Sequence, residues 1–394
     1  VFGAVLFSLY FIFYKKYILS ALILFVIFGA SYYQIFSYFQ GKANIVFDSR
    51  IEFTGIIIEA SKNSASQKLI LNLKAPYNRK IQMSVQRYPD FQYGDLVKVI
   101  GIIKEPSAET KDYLAKNGIL GTVSFPKIEL IKSGEGNFVK AELLKFKDSI
   151  ISVFKRSLPA EKAAFLSGII LGEQEGFSKD LKEKMSLSGT THLVALSGYN
   201  ISIIAWAMLL FFGSYFSRSA SFYLSILVII LFVFMTGAEA SVVRAAIMGV
   251  IAIMAKETQR IFSIRNAITI AAFLMILYNP KVLAFDLGFQ LSFAALLGIV
   301  YLSPVFKKIL HAGNPGFLSW KENAVTTVSA QLAVIPLLLG KFGIFSLTSF
   351  FANILILGVM PLTMGIGFLM AGLGLFSDFS AKIIGLAINL FLSY

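Results

Sequence analysis

Long apolar runs alternate with short polar segments along most of the chain. The runs KYILSALILFVIFGASYYQIFSYF, SFYLSILVIILFVFMTG and NAITIAAFLMILY are near or at the length that crosses about 30 Å of hydrocarbon. The pattern predicts further spans at roughly 190–214, 219–236, 239–256, 264–279, 283–302, 323–340, 344–359, 361–376 and 380–394. We therefore expect a polytopic α-helical membrane protein.

A section with a different period is inserted near the start of the chain. Between about residues 46 and 135 the sequence alternates apolar and polar positions, with many β-branched residues, as half-buried strands do. The strand segments are RIEFTGIIIEA, QKLILNLKA, KIQMSVQ, DLVKVIGIIKEP and LGTVSFPKIELI, and the helical segment ETKDYLAKNGI precedes the last of them. This arrangement predicts a small OB-like β-barrel.

The pattern divides the chain into successive segments. We predict an N-terminal transmembrane hairpin over 1–40, the OB-like domain over 46–135, a connector over 136–187 and a multi-span domain over 190–394. The connector is placed in the plane of the membrane interface, with a soluble amphipathic helix as the alternative, and Ser178 is suited to cap its charged helix. Because the chain begins at Val1 and stops at Tyr394 inside apolar runs, we expect a fragment of a longer protein.

Composition and charge support the membrane class and suggest its orientation. Charged residues are 15% of the chain and hydrophobic residues 56%, whereas soluble proteins carry about 25% charged residues. The net charge is +14, from 36 basic minus 22 acidic residues, and it also suits a polyanionic substrate. Basic residues crowd cytoplasmic loops, and here they fall on alternate turns: Lys15 and Lys16, Arg218, Lys256 with Arg260 and Arg265, and Lys307 with Lys308. This spacing predicts a multi-pass cytoplasmic-membrane protein whose β-domain is extracytoplasmic.

Few of the parts needed for catalysis are present. The chain has no cysteine and only two histidines, His192 and His311, which excludes disulfides and cysteine or multi-histidine metal centres within it. It contains no nucleophile elbow and no phosphate-binding loop of the Walker type. We therefore predict no enzymatic activity, no cofactor and no metal. An intramembrane enzyme that uses His192 or Glu239 is a less favoured alternative.

Polar residues recur at membrane depth in SGTTHLVALSGYNISII, TGAEASVVRAAIMG, DLGFQLSFAALLGIV, SAQLAVIPLLL and SLTSFFANILILGVMPL. A charge at the centre of a span costs roughly 2.5–3.5 kcal/mol on insertion scales, so such groups should face the bundle interior or a water-filled cavity. The predicted channel-lining or gating residues are His192, Ser197, Gly198, Asn200, Glu239, Arg244, Asp286, Gln290, Gln331 and Asn353.

Each of these residues also has a structural interpretation. Glu239 suits a helix start, where a carboxylate favours the dipole. Arg244 is either a lumen-facing cation or the partner of Asp286 in an ion pair. His192, Gln290 and Gln331 are also suited to hydrogen bonds between helices. The segment around Gly198 fits a close-packing notch or a broken helix that exposes backbone to a cavity, and Pro336 and Pro361 fit helix kinks.

The β-domain offers a surface for nucleic acid. The candidate DNA-binding residues are Tyr77, Arg79, Lys80 and Arg87, with Tyr88 and Tyr93 as further aromatic candidates. Base stacking on aromatic rings beside basic side chains is the usual chemistry of single-strand binding. The alternative is that the tyrosines complete the small core or its rim.

The polar segments, in this order, resemble the ComEC family of competence proteins. The similar stretches are HLVALSGYNISII, TGAEASVVRAAIMG, DLGFQLSFAALLGI, the Gln-Leu…Pro and Ala-Asn pair, and DYLAKNGI within the β-domain, so the resemblance covers essentially the whole chain. It departs at Asn200, where many members carry His, and at Ala240, where Pro is frequent. An asparagine cannot titrate near neutral pH, which argues against a proton relay at that position.

The resemblance implies a channel that imports single-stranded DNA across the cytoplasmic membrane during natural transformation. It also implies a cytosolic helicase-like ATPase and an extracytoplasmic DNA receptor as partners, besides single-stranded DNA and membrane lipid. Full-length relatives often continue into a metallo-β-lactamase-like domain, and any nuclease activity would lie in that domain, which this sequence lacks. A small-solute or lipid transporter with a regulatory β-domain is the competing interpretation.

Overall fold

The computed structural model describes residues 17–41, 47–62, 66–194, 196, 198–309, 320–343, 346 and 348–393. These fall into two compact units. The first comprises Val1–Glu135 with Leu274–Asp286, and the second comprises Gly136–Phe273 with Leu287–Tyr394. Among the residues singled out above, Val1, Lys15, Lys16, Ser197, His311 and Tyr394 lie outside the described residues.

The first unit contains a six-stranded mixed sheet. Its elements are α1 (Tyr17–Gly41), β1 (Arg50–Lys62), β2 (Ser66–Leu73), β3 (Lys80–Gln86), β4 (Leu96–Ile102), α2 (Ala108–Lys116), β5 (Ile119–Ser124) and β6 (Lys127–Lys132). The strand order is β5-β3-β2-β1-β4-β6, and only the β3–β5 pair is parallel.

The predicted alternation sets the register of this sheet. Leu71 pairs with Ile57 on one side and with Ile81 on the other, and all three side chains are fully buried. Because side chains alternate faces along a strand, shifting one strand by a single residue would expose this apolar row. The apolar core of the unit therefore lies on one face of the central strands.

The sheet differs from the predicted five-stranded barrel. The last predicted strand is two strands, β5 and β6, because Phe125 has a positive φ of 48° and Pro126 lacks an N–H to donate to a ladder. A single isolated bridge joins Lys104 to Thr122, but the sheet is not closed and an OB-like barrel is not shown. The predicted helix of this section is present as α2.

The remaining helices follow from residue 138 onward. They are α3 (Phe138–Ser157), α4 (Ala160–Leu171), α5 (Lys179–Ser188), α6 (Thr191–Val194), α7 (Gly198–Tyr215), α8 (Arg218–Met235), α9 (Ala240–Glu257), α10 (Ile264–Tyr278), α11 (Val282–Phe285), α12 (Leu287–Ile309), α13 (Trp320–Phe342), α14 (Thr348–Leu357), α15 (Met360–Gly374) and α16 (Asp378–Phe391). As predicted, Ser178 caps α5, since its hydroxyl accepts a hydrogen bond from Leu181 N at 3.1 Å. Pro361 lies in the first turn of α15, where its missing N–H costs nothing.

The stretch expected to be a surface connector is different in the structure. Its helix α4 is buried along almost its whole length, from Ala163 to Leu171, in the apolar core of the second unit. The segment AAFLSGIIL is apolar on every side, and a helix of that kind is covered on every side. An amphipathic interfacial helix would have kept one polar face.

Several helices are apolar enough to cross a membrane by length and composition. Among the described residues these are Arg218–Met235, Leu287–Ile309 and Lys321–Lys341, with mean hydropathies of 2.1, 1.8 and 1.5. Thr348–Ile356 and Met360–Gly374 pass the same criteria together and are bent by 55°, which makes four if they form one span. The apolar helices Ile23–Phe39, Asn200–Tyr215 and Ile264–Tyr278 are shorter. The chain is thus a membrane protein, and the larger set of spans stays a prediction.

Two basic residues in helix-connecting turns of the second unit contact neighbouring helices. Arg218, at the start of α8, lies 2.9 Å from the carboxylate of Glu257, at the end of α9. The guanidinium of Arg265, in the first turn of α10, lies 5.4 Å from the ring centroid of Tyr301 on α12. The side of the membrane on which these turns lie stays a prediction.

Candidate functional site

The candidate site is centred on Arg244 in the second turn of α9. Only 8% of this residue is exposed. Its Nη1 donates a hydrogen bond to the backbone carbonyl of Ser292 on α12, and its Cζ lies 5.8 Å from the ring centroid of Phe293. On the other side, Nη2 lies against Gly198, where an added Cβ would be 2.8 Å away. The guanidinium is thus held between α7 and α12.

No carboxylate neutralises this guanidinium among the described residues. None of the ion pairs found there involves Arg244, and its buried Nε has no hydrogen-bond partner. Asp286, the partner suggested for Arg244 in the sequence analysis, belongs to the first unit, where its carboxylate pairs with Lys116. Within the part of the chain that the structure describes, the buried Arg244 cation thus lies against the carbonyl of Ser292, the ring of Phe293 and Gly198, with no carboxylate in an ion pair with it.

The helix break near Gly198 is part of the same site. Helix α6 ends at Val194 and α7 begins at Gly198, and the hydroxyl of Ser241 on α9 donates to the carbonyl of Leu196 at 2.8 Å. The close-packing interpretation is confirmed, because Gly198 lies against the guanidinium of Arg244, and a broken helix that opens to a cavity stays a prediction. We call Leu196, Gly198, Ser241, Arg244 and Ser292 the arginine cluster.

A second polar group joins the α5–α6 turn to α13 and α14. Gln331 Nε2 donates to Ser349 Oγ at 2.8 Å, which confirms the predicted bridge between helices. Ser346 Oγ donates to the carbonyl of Leu187 at 2.8 Å, and a Cβ on Gly189 would clash with Ser349. One turn further along α14, the buried Oδ1 of Asn353 has no partner among the described residues. Gln331, Ser346, Ser349 and Asn353 form the serine cluster.

The other predicted site residues have local roles. Asn200 is 1% exposed, and its Nδ2 donates at 2.9 Å to the carbonyl of Ile169 in the last turn of α4, where carbonyls lack helical partners. His192 is exposed, with Nδ1 3.0 Å from the carbonyl of Gly189. Glu239 is exposed and immediately precedes α9, as its preference for a helix start predicted. Gln290 is half-buried in the first turn of α12.

Asp286 belongs to a polar joint within the first unit. Its carboxylate lies 2.7 Å from Lys116 Nζ, and the two side chains are 12% and 11% exposed. Asn279 Nδ2 donates to the carbonyl of Lys116 at 2.9 Å. Close by, burial lowers the pKa of Lys281 below its usual value, while the charge of Asp112 acts in the opposite direction. The joint thus connects α2 of the DYLAKNGI segment to the turn before α12.

The candidate DNA-binding residues of the sheet differ in exposure. Tyr77 packs against the apolar core, which supports the alternative interpretation that this tyrosine completes the core. Arg79 is half-buried and donates to the carbonyl of Phe39 at 3.2 Å. By contrast Tyr88 is 73% exposed, with the guanidinium of Arg87 5.9 Å from its ring centroid. Lys80 is exposed and Tyr93 half-buried.

Comparison with known families decides the class of the chain. Residues 169–394, more than half of the sequence, match the model of the family described as Competence protein. The chain belongs to the competence protein family. The resemblance to ComEC proteins is thereby confirmed, and the arginine and serine clusters both lie inside the matched region.

Individual relatives add to this. The competence protein is 27% identical over 266 residues to ComE operon protein 3 of Bacillus subtilis (strain 168), a match that covers 66% of this chain and 33% of the relative. The chain therefore spans about a third of that relative's length. Among solved structures, the aspartyl tRNA synthetase from Entamoeba histolytica aligns at 13% identity, covering 48% of this chain and 42% of the other, with a TM-score of 0.19. That likeness carries no argument about the fold.

Sequence reasoning missed several residues that build these sites. Ser241 lies three residues before Arg244 in ASVVRAA, a spacing that places both on one helical face and that offered a local signal. Lys116, Ser346 and Ser349 reach their partners only through the tertiary fold. No pattern in the sequence points to those contacts.

Proposed function

We propose that this competence protein imports single-stranded DNA across the cytoplasmic membrane in natural transformation, through the helices of its second unit. Family membership supports the role in competence. The observation that carries the proposal is Arg244, a buried cation inside the family-matched region that no described carboxylate pairs with. A cation kept in a membrane bundle without a counter-charge marks a substrate path more often than a structural contact.

A DNA strand that enters the cytoplasm moves its negative charges toward a negative potential, and this movement needs a source of energy. Each net negative charge that enters the negative compartment meets about 2.3 kcal/mol per 100 mV, and Arg244 offsets part of that cost locally. The chain carries no phosphate-binding loop for a nucleotide, so the pull on the strand comes from elsewhere. We propose a cytosolic helicase-like ATPase for the pull and an extracytoplasmic DNA receptor for delivery of the strand.

We propose that the sheet of the first unit is an OB-like single-strand platform. Its exposed Arg87–Tyr88 pair combines a cation with an aromatic face, and stacking contributes roughly 1–3 kcal/mol per base. Binding through basic side chains weakens steeply as salt rises. The half-buried Tyr77 does not offer a comparable face.

Substitutions of Tyr88 and Tyr77 distinguish a tyrosine that binds the strand from one that completes the core. We expect Tyr88→Ala to weaken single-strand binding by about tenfold without lowering stability, because its ring is exposed. We expect Tyr77→Ala to lower stability instead, because its ring packs on the core. Fluorescence anisotropy with a labelled single strand over a salt series, beside thermal unfolding, measures both. Equal affinity for Tyr88→Ala and the parent chain would remove this surface from the strand path.

The positions of the basic turns predict that the sheet of the first unit is extracytoplasmic. In this cysteine-free chain, a cysteine at Lys62 in the sheet should react with an impermeant thiol reagent in cells stripped of their outer envelope. A cysteine at Gln259, beside the basic turn of Arg260, should react only after lysis. The side chain of Lys62 is 41% exposed and Gln259 is exposed, so a cysteine at either position can meet the reagent once the reagent has access to that side of the membrane. Labelling in the reverse order would overturn the extracytoplasmic placement of the sheet.

The proposed function is tested by removing the gene in its naturally competent host. We expect transformation to be lost while DNA binding at the cell surface stays intact, because uptake and not capture needs the channel. Restoring the gene should restore transformation. Normal transformation after deletion would contradict the proposal and favour a transporter for a small solute or lipid.

A further inference from the structure

Two positive groups of the second unit lie close together in the arginine cluster. Helix α7 runs from Gly198 to Tyr215, and the amino end of a helix carries about half a positive charge. The Nη2 of Arg244 lies against the first residue of that helix. Arg244 is also in the second turn of α9, so it lies near the positive end of its own helix as well.

This arrangement is electrostatically unfavourable as it stands. Like charges repel strongly where water is excluded, and Arg244 is 8% exposed with an unpartnered Nε. The carbonyl of Ser292 and the ring of Phe293 supply only partial negative charge. Among the described residues, no carboxylate reaches the guanidinium. An anion bound beside both the guanidinium and the amino end of α7 would offset this repulsion.

We propose that the arginine cluster is an anion site that holds one phosphodiester group of the DNA strand, between the guanidinium of Arg244 and the amino end of α7. The inference rests on the proposed function and names the part of the strand that the site recognises. Helix amino ends bind phosphate through free N–H groups. A guanidinium matches two phosphate oxygens with its fork of donors. The site binds the charged phosphate and does not distinguish the bases, as a channel for DNA of any sequence requires.

Gly198 determines whether the guanidinium can lie at this helix end. A Cβ at that position would be 2.8 Å from Nη2, whereas the side chain of Ala245 would be at an ordinary 3.6 Å. An alanine would thus push the cation away from the helix end and leave its charge in place. Gly249, on α9, has nothing within 4 Å of an added Cβ. Gly249→Ala is therefore a matched control for Gly198→Ala.

The test uses the full chain in maltoside detergent, which carries no phosphate, with a short abasic DNA strand as the probe. The same strand with methylphosphonate links keeps its shape but loses its charge. We expect the charged probe to bind at least about tenfold more tightly than the neutral one. Arg244→Gln and Gly198→Ala should each remove most of that difference, Arg244→Lys should keep part of it, and Gly249→Ala should keep it all.

Each outcome bears on the site. If Arg244→Gln does not fold, the Gly198→Ala and Gly249→Ala pair decides the question, because both retain the cation. Equal affinity of Gly198→Ala and Gly249→Ala for the charged probe would overturn the site. Competition by phosphatidylglycerol equal to that of the strand would assign the site to a lipid headgroup and overturn it too. The proposed function can stand when the site does not. If Arg244→Gln and Gly198→Ala bind the charged probe as tightly as the parent chain does, while deletion of the gene still abolishes transformation, only the site is overturned.

Discussion

Replacing Arg244 by glutamine is expected to lower transformation by about ten- to a hundredfold, the loss that one or two charge-assisted contacts to the strand would produce. The amount of folded protein in the membrane should stay near that of the parent, because no described carboxylate would be left unpaired. Counting transformants beside immunodetection of the membrane fraction measures both quantities.

The control is Arg218→Gln, which removes an exposed cation at the start of α8 and should leave transformation nearly unchanged. Because Asp286 pairs with Lys116, the double change Arg244→Gln with Asp286→Asn should not recover uptake. Recovery by the double variant would show that the two residues pair during function and would contradict the phosphate role of Arg244.

Breaking the Lys116–Asp286 pair is expected to destabilise the first unit. Either Lys116→Gln or Asp286→Asn removes one charge of a nearly buried ion pair and keeps the other, at a cost of about 3–5 kcal/mol. The double variant should regain much of that loss, because it removes both charges of the pair. Thermal unfolding of the purified chain, followed by loss of folded protein after heating, gives the comparison.

The matched control is the exposed pair of Lys62 and Asp90, 2.8 Å apart with side chains 41% and 46% exposed. Removing either member should cost at most about 1 kcal/mol. If the single changes at Lys116 and Asp286 cost no more than those at Lys62 and Asp90, the polar joint does not hold α2 to the turn before α12.

Local patterns were enough to predict some of these elements. Alternating apolar residues predict β1, and its burial alternates through Phe53, Gly55 and Ile57. Ser178 predicts the start of α5, because its hydroxyl can replace a missing helical partner. The small residues around Gly198 predict a close contact there but do not identify its partner, Arg244. For β1 and α5 the signal and its consequence lie within a few residues of one another.

The contacts that define the sites depend on distant parts of the chain. Lys116 and Asp286 are 170 residues apart, so charge alone could not choose between Lys116 and Arg244 as the partner of the carboxylate. Closure of a sheet depends on how its edges meet, and the turn at Phe125 divides one predicted strand into two. The burial of α4 has no periodic signal, because its residues are apolar on every side.

The most direct measurement is a crosslink from the chain to a strand that is trapped during uptake. A cysteine at Ser292, whose carbonyl contacts Arg244, carries a thiol-linked photoreactive group, and the chain has no other cysteine. Ser214, exposed near the far end of α7, serves as the matched position. We expect a crosslink to the strand from Ser292→Cys and none from Ser214→Cys. No crosslink from Ser292→Cys, in cells that still take up DNA, would contradict a strand path beside Arg244.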